Sequence, residues 1–179
     1  MIRITAGALK GRRISVPKDD VRPTSERARQ AFFNIIGERI QDARFLDLFA
    51  GSGIFSFEAV SRGAKESVAV DDTRNHTAMI DKEARSLEVP IRTITADVLT
   101  GIKRLGDEVF DVIYADPPYA YDRYDELLMS IDTNLALAAE AVLAIEHRRR
   151  TDPFTATPTR LQFLRRAEYG EVWISFFTT

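Results

Sequence analysis

The chain has 179 residues, 45% hydrophobic and 29% charged, with a net charge of −2. That length suits one domain, able to bury roughly 70% of its unfolded surface. Without cysteine, disulfides and thiolate metal sites are excluded. No apolar run approaches the roughly 20 residues of a membrane span, and Arg3, Lys10, Arg12 and Arg13 interrupt any leader-like apolar segment. A cytoplasmic, metal-independent protein is expected, with His76 and His147 on its surface. Charge is uneven: Arg3, Lys10, Arg12, Arg13, Lys18, Arg22, Arg27 and Arg29 stand against Asp19, Asp20 and Glu26 in the first thirty residues. A basic end on an acidic body points to a polyanion contact focused there.

Residues 2–6 alternate apolar and polar as a half-buried strand does. Gly7 and Gly11 bracket a turn carrying Lys10, Arg12 and Arg13, and residues 13–16 can pair back. A small hairpin with a basic face is expected ahead of the main fold, spanning the 1–23 extension. Pro23 then bars an earlier helix start, Thr24 or Ser25 can cap, and Ala28, Ala31, Phe32, Ile35, Ile36 and Ile40 form an apolar stripe. Arg29 and Asn34 fall nearer the polar side.

Residues 44–49 read as a buried strand, followed by Gly51-Ser52-Gly53 and a helix that Gly63 can close. Strand, glycine turn and helix make half of a Rossmann-like unit, with Ser56 in place of a third glycine. A second strand ends at Asp71, twenty residues after Gly51, where an acid can accept from both hydroxyls of a ribose. Thr73 can cap the next helix. After a third strand, Asp97 can meet an adenine amine while Val98 or Leu99 covers the ring, or cap helix 98–104. A fourth strand ends in Asp116-Pro117-Pro118-Tyr119. Its prolines force the chain out of the sheet in one rigid shape, between a carboxylate and an aromatic ring. Residues 121–124 open a mobile connection, 141–146 form a fifth strand, and 161–167 with 171–177 form a terminal antiparallel hairpin.

Strands alternating with helices imply a mostly parallel sheet with helices on both faces, whose ligands bind beyond the carboxyl ends of the strands. The glycine turn, Asp71, Asp97 and Asp116–Tyr119 all fall at those ends. The ordered set resembles the class I S-adenosylmethionine-dependent methyltransferases, and more narrowly the RsmD family, which methylates N2 of a guanine in 16S rRNA. The resemblance rests on Ile4–Gly7 with Lys10-Gly11-Arg12, Arg22-Pro23-Thr24, Arg29, Phe33-Asn34, Leu46–Gly53 and Asp116–Tyr119.

It implies a Rossmann-like α/β core with a seven-stranded sheet over residues 24–179. S-adenosylmethionine would be held by Asp47, Phe49, Gly51, Gly53, Asp71, Asp97 and Val98. Asp116, Pro117 and Tyr119 would be catalytic, and Lys10, Arg12, Arg13, Arg22, Thr24, Arg29 and Asn34 would face RNA. The partner would be 16S rRNA or the small-subunit particle, and the protein a monomer. Gln30 stands where the family often has an acid, and Asp71 is shorter than its usual glutamate. The rival readings are a DNA adenine-N6 methyltransferase, which uses the same acid-Pro-Pro-aromatic logic, and an inactive RNA-binding assembly protein.

Overall fold

A computed structural model describes residues 1–17, 26–118, 120–148 and 153–179. Two short antiparallel strands, β1 (Ile2–Arg3) and β2 (Arg13–Ile14), precede helix α1 (Glu26–Ile36) and a 3₁₀ turn (Gly37–Ile40). Then β3 (Arg44–Leu48), α2 (Ile54–Ser61), β4 (Glu66–Asp71), α3 (Arg74–Leu87), β5 (Ile91–Thr95), α4 (Val98–Leu105) and β6 (Val109–Ala115) alternate. Helix α5 (Tyr124–Asn134), β7 (Ala136–Arg148), β8 (Gln162–Tyr169) and β9 (Val172–Thr178) follow.

The main sheet has seven strands in the order β5-β4-β3-β6-β7-β9-β8. The first five run parallel, and β9 inserts antiparallel between β7 and β8. Its strands alternate in period two between two apolar layers. Phe45, Val112, Tyr114, Ala144, Ile174 and Phe176 pack under α1 and α2; Leu46, Ile113, Leu143, Ile145 and Phe177 pack under α4 and α5. Order reverses between β3 and β6, and a topological switch point of this kind places a ligand crevice at the strands' carboxyl ends. No helix among the described residues is long and apolar enough to cross a membrane.

The hairpin docks on α2 through one buried carboxylate. Glu58, fully buried, accepts from the Thr5 amide at 2.9 Å, the Thr5 hydroxyl at 2.5 Å, the Ala6 amide at 3.1 Å and Arg62 Nε at 2.9 Å. Arg29 Nε lies 3.5 Å from the same carboxylate, and Arg29 Nη2 donates to the Arg3 carbonyl at 3.0 Å. Gly7 is required here: a Cβ would meet the Ser61 carbonyl oxygen at 1.7 Å, and its φ is +80°.

The helical stripe is rotated from expectation. Arg29 and Phe33 face inward with Ala28, Phe32 and Ile36, while Ala31 and Ile35 are only half-buried. The cause is the Glu58 carboxylate, which gives an arginine a partner inside the layer and so lets a charged position join an apolar face. The α1 start proposed at Thr24 or Ser25 lies outside the described residues.

Candidate active site

Asp47 on β3 lies beneath the glycine turn. Its Oδ2 accepts the Ser56 amide at 3.0 Å and the Ser56 hydroxyl at 2.8 Å, so it anchors the first turn of α2 from below. Burial pushes its carboxyl up to about 7 against those two bonds, and the charges of Asp116 and Asp71 push the same way. Above it, Phe49 takes φ +62°, a left-handed conformation that non-glycine residues hold at a cost and that clusters at functional sites. Gly51 and Gly53 follow at +52° and +73°. A Cβ on Gly53 would sit 2.8 Å from Ile80 Cγ1, so only glycine lets the loop close on α3.

Asp71 closes the next side. Its Oδ2 accepts the Gly51 amide at 2.8 Å, and its Oδ1 accepts the Thr73 amide at 2.9 Å and lies 3.0 Å from His76 Nδ1. His76 is therefore half-buried against a carboxylate rather than a surface residue. Thr73 does not cap α3 with its side chain; its hydroxyl donates to Asp72 instead. Asp97 caps α4 through Oδ1, accepting from Leu99 and Thr100 at 3.1 and 3.3 Å, with Val98 buried beside it.

The connection over residues 121–124, expected to be mobile, packs through its two tyrosine rings. The Tyr121 amide donates to the Pro118 carbonyl at 2.8 Å. The Tyr121 ring meets Phe49 edge-on at 5.1 Å and Tyr124 at 5.3 Å, and Tyr124 meets Phe154 at 5.9 Å. Burial pushes both the Tyr121 and Tyr124 hydroxyls up to about 12. The sequence pattern did not single out this aromatic wall; three rings spaced at 121, 124 and 154 carry no periodicity.

Asp116 leaves β6 beside the end of β7, one residue beyond the paired positions Ala115 and Ile145. Asp116 and Pro117 line a narrow recess with Tyr124, Glu146, His147, Arg148 and Val172. Glu146 and His147 are 4% exposed, which corrects the surface placement expected for His147. Its Nε2 lies 2.8 Å from the Ser175 hydroxyl, and its ring is 6.0 Å from that of Trp173. The Arg166 guanidinium lies over this indole at 4.5 Å. Glu146 Oε2 accepts the Tyr114 hydroxyl at 2.8 Å.

The structure gathers Asp47, Phe49, Gly51, Gly53, Asp71, Asp97, Val98, Asp116 and Pro117 on one rim. Tyr119, Arg22 and Thr24 lie outside the described residues. Lys10, Arg12 and Arg13 are exposed on the hairpin. Two expectations are corrected. Arg29 is fully buried, where desolvation lowers its pKa against the raising effect of Glu58, so it holds the hairpin rather than facing solvent. Asn34 is exposed, but it lines a groove with Gly7, Phe33, Gly37, Gln41 and Arg62 at the opposite rim, where β3 and β4 begin.

The family model described as "Conserved hypothetical protein 95" matches residues 2–178. "Ribosomal RNA small subunit methyltransferase D" of Escherichia coli K12 is 31% identical over 147 residues, covering 81% of this chain and 74% of that protein. The chain belongs to the RsmD family. "Putative rRNA methyltransferase YlbH" of Bacillus subtilis is 28% identical, with 98% of both chains covered. A solved Escherichia coli structure, "Putative methyltransferase yhhF", superposes with a TM-score of 0.88 at 28% identity, covering 99% of this chain and 97% of that one. The fold is that of the class I methyltransferases. It extends to SMU.776, a putative methyltransferase described as complexed with SAH, at a TM-score of 0.64 and 15% identity over 82% of this chain and 48% of that one.

Proposed function

We propose that the protein transfers a methyl group from S-adenosylmethionine to the exocyclic N2 of a guanine in bacterial 16S rRNA. The observation that carries this reading is the common rim of Gly51–Gly53, Asp71, Asp97 and Asp116-Pro117, in a member of a family whose named relatives include rRNA methyltransferases.

The site suits the cofactor by its own chemistry. Gly53 packs on Ile80 and so holds the glycine turn against α3, Asp71 and Asp97 offer acceptors for hydroxyls and an amine, and the buried Tyr121 hydroxyl has no protein partner among the described residues. When bound, S-adenosylmethionine supplies an electrophilic methyl group. Phe49, Gly51, Gly53, Asp71, Asp97 and Val98 would hold it, while Asp47 fixes the loop from beneath.

A guanine amine is a weak nucleophile because its lone pair is delocalised into the ring. Hydrogen bonds from that amine to the Asp116 carboxylate and the Pro117 carbonyl favour a pyramidal nitrogen with its lone pair turned outward. The contribution is mainly proximity and orientation. Tyr119 would stack on the base, a contact worth roughly 1–3 kcal/mol, and the base must first be unstacked. Lys10, Arg12 and Arg13 would hold phosphates, which position the RNA without reading it. Arg22 and Thr24 belong to the same proposal.

Residues 54–115, between the glycine turn and Asp116, are taken up by α2, β4, α3, β5, α4, β6 and their short connections. No segment there is left to form a DNA-reading module, which weighs against adenine-N6 methylation of DNA. The test is labelling with tritiated S-adenosylmethionine, followed by nucleoside analysis of the product. Label on N2 of one guanosine in small-subunit rRNA is expected; label confined to DNA adenine would sink the reading.

A further inference from the structure

Three facts about Glu146 go beyond the acid-Pro-Pro-aromatic corner. It stands at the carboxyl end of β7, directly beside Asp116, because Ala115 pairs with Ile145. Neighbouring strands lie about 4.8 Å apart, so both carboxyl groups are within reach of one base edge. By the two-residue alternation of a strand, Asp116 and Glu146 also share the sheet face of Tyr114 and Ala144. Finally, Glu146 is buried yet lines the same recess as Asp116, and the Tyr114 hydroxyl fixes one of its oxygens. A carboxylate offers about four lone-pair positions, and this bond sets the plane in which they lie.

We infer that Glu146 is the residue that selects guanine: its carboxylate accepts the N1–H of the base whose N2 amine is held by Asp116. This rests on the proposed methylation of guanine N2 and adds to it the group that excludes other bases. Guanine presents two adjacent donors on this edge, N1–H and the N2 amine, and two carboxylates side by side complement them. Adenine presents a lone pair at N1 and nothing at C2. Its N1 would face the Glu146 carboxylate with no proton between them, an arrangement that rejects the base as well as failing to hold it. Tyr114 acts through Glu146, as a positioning residue.

The experiment uses small-subunit rRNA ligated to carry either guanosine or 2-aminopurine riboside at the methylated position and assembled into particles. 2-Aminopurine keeps the reacting amine and the ring but has an acceptor at N1. Initial rates of tritium transfer are compared for the unaltered protein, Glu146→Gln and Glu146→Asp. The unaltered protein is expected to prefer guanosine by about 100-fold or more. Glu146→Gln, whose amide can donate to N1 of 2-aminopurine, should narrow the ratio to within about tenfold. Glu146→Asp should retain the preference at a lower rate.

A ratio of rates on two substrates is independent of the fraction of protein folded, so instability of a variant does not blur the result. Equal use of both bases by the unaltered protein, or an equal slowing on both by Glu146→Gln, would overturn the assignment of Glu146. Transfer to neither, with cofactor binding intact by calorimetry, would overturn the rRNA reading and this inference with it.

Discussion

The Gly51 amide donates to Asp71 Oδ2 at 2.8 Å, joining the loop after β3 to the acid at the end of β4. The carboxylate therefore shapes the glycine turn as well as facing the cofactor side. Asp71→Ala removes an acceptor from Gly51 and Thr73 together and should cost about 1–3 kcal/mol of stability. Affinity for S-adenosylhomocysteine should fall at least about tenfold, which corresponds to 1.4 kcal/mol. Calorimetric titration alongside thermal unfolding checks both; unchanged affinity in a folded variant would detach Asp71 from the ligand.

Asp47 gives the fold an inverse pH dependence. Its folded pKa is raised to about 7 from an ordinary value of 3.8, so the native state binds its proton more tightly than the unfolded chain does. The resulting stability is complete below about pH 4 and is lost as pH rises through about 7. Asp47→Asn keeps an oxygen for the Ser56 donors and removes the titration. Urea unfolding at pH 5 and pH 8 should show a flatter slope for the variant; a slope identical to that of the unaltered protein would show that another group sets this pH dependence.

Asp116→Ala should abolish methyl transfer while leaving cofactor affinity within about twofold, since the cradle is built by β3, β4 and β5. Single-turnover transfer and equilibrium dialysis separate the two effects. Full transfer by the variant would remove Asp116 from the catalytic set.

Arg12→Ala combined with Arg13→Ala should weaken RNA binding and reduce the slope of log affinity against log salt by about 1.4–1.8, the expectation for two lost phosphate contacts. Binding measured across a salt series decides. An unaltered slope would take the hairpin out of the RNA surface.

The segment before β8 is tied to α5 by Asp132, which is fully buried and accepts the Thr159, Arg160 and Leu161 amides at 2.9 Å and the Thr159 hydroxyl at 2.8 Å. Burial raises its pKa, but these donors outweigh it and the net shift is downward. Stability from Asp132 is thus present above the ordinary carboxylate range and lost as pH falls through it. Asp132→Ala should cost about 2–4 kcal/mol. Loss of less than about 0.5 kcal/mol in urea unfolding, the range of an ordinary surface change, would show the anchor to be dispensable.

Chemistry written as glycine, proline and acid at strand ends was legible in the chain, because those residues act through local backbone geometry. The mostly parallel sheet followed from strands alternating with helices, while the order of its strands came only with the structure. What escaped was long-range: Arg29 looked polar on its own helix and is buried only because Glu58, 29 residues later, meets it. Asn34 followed a motif along the chain, yet α1 carries it down to the rim where β3 begins. Glu146 looked like the end of a strand and His147 like a surface residue. Their burial depends on β9, which enters the sheet beside them from the C-terminal side of the sequence.

Trp173 is the only tryptophan in the chain, and its indole touches Arg166 and, at 6.0 Å, the His147 ring that lines the recess. The protein's tryptophan emission is therefore the signal of a single residue near the substrate side. The glycine turn stands three strands away, about 14 Å across the sheet. A base entering beside His147 and Glu146 should perturb this fluorescence far more than nucleoside loading does, so the molecule carries a built-in optical means of telling its two ligands apart.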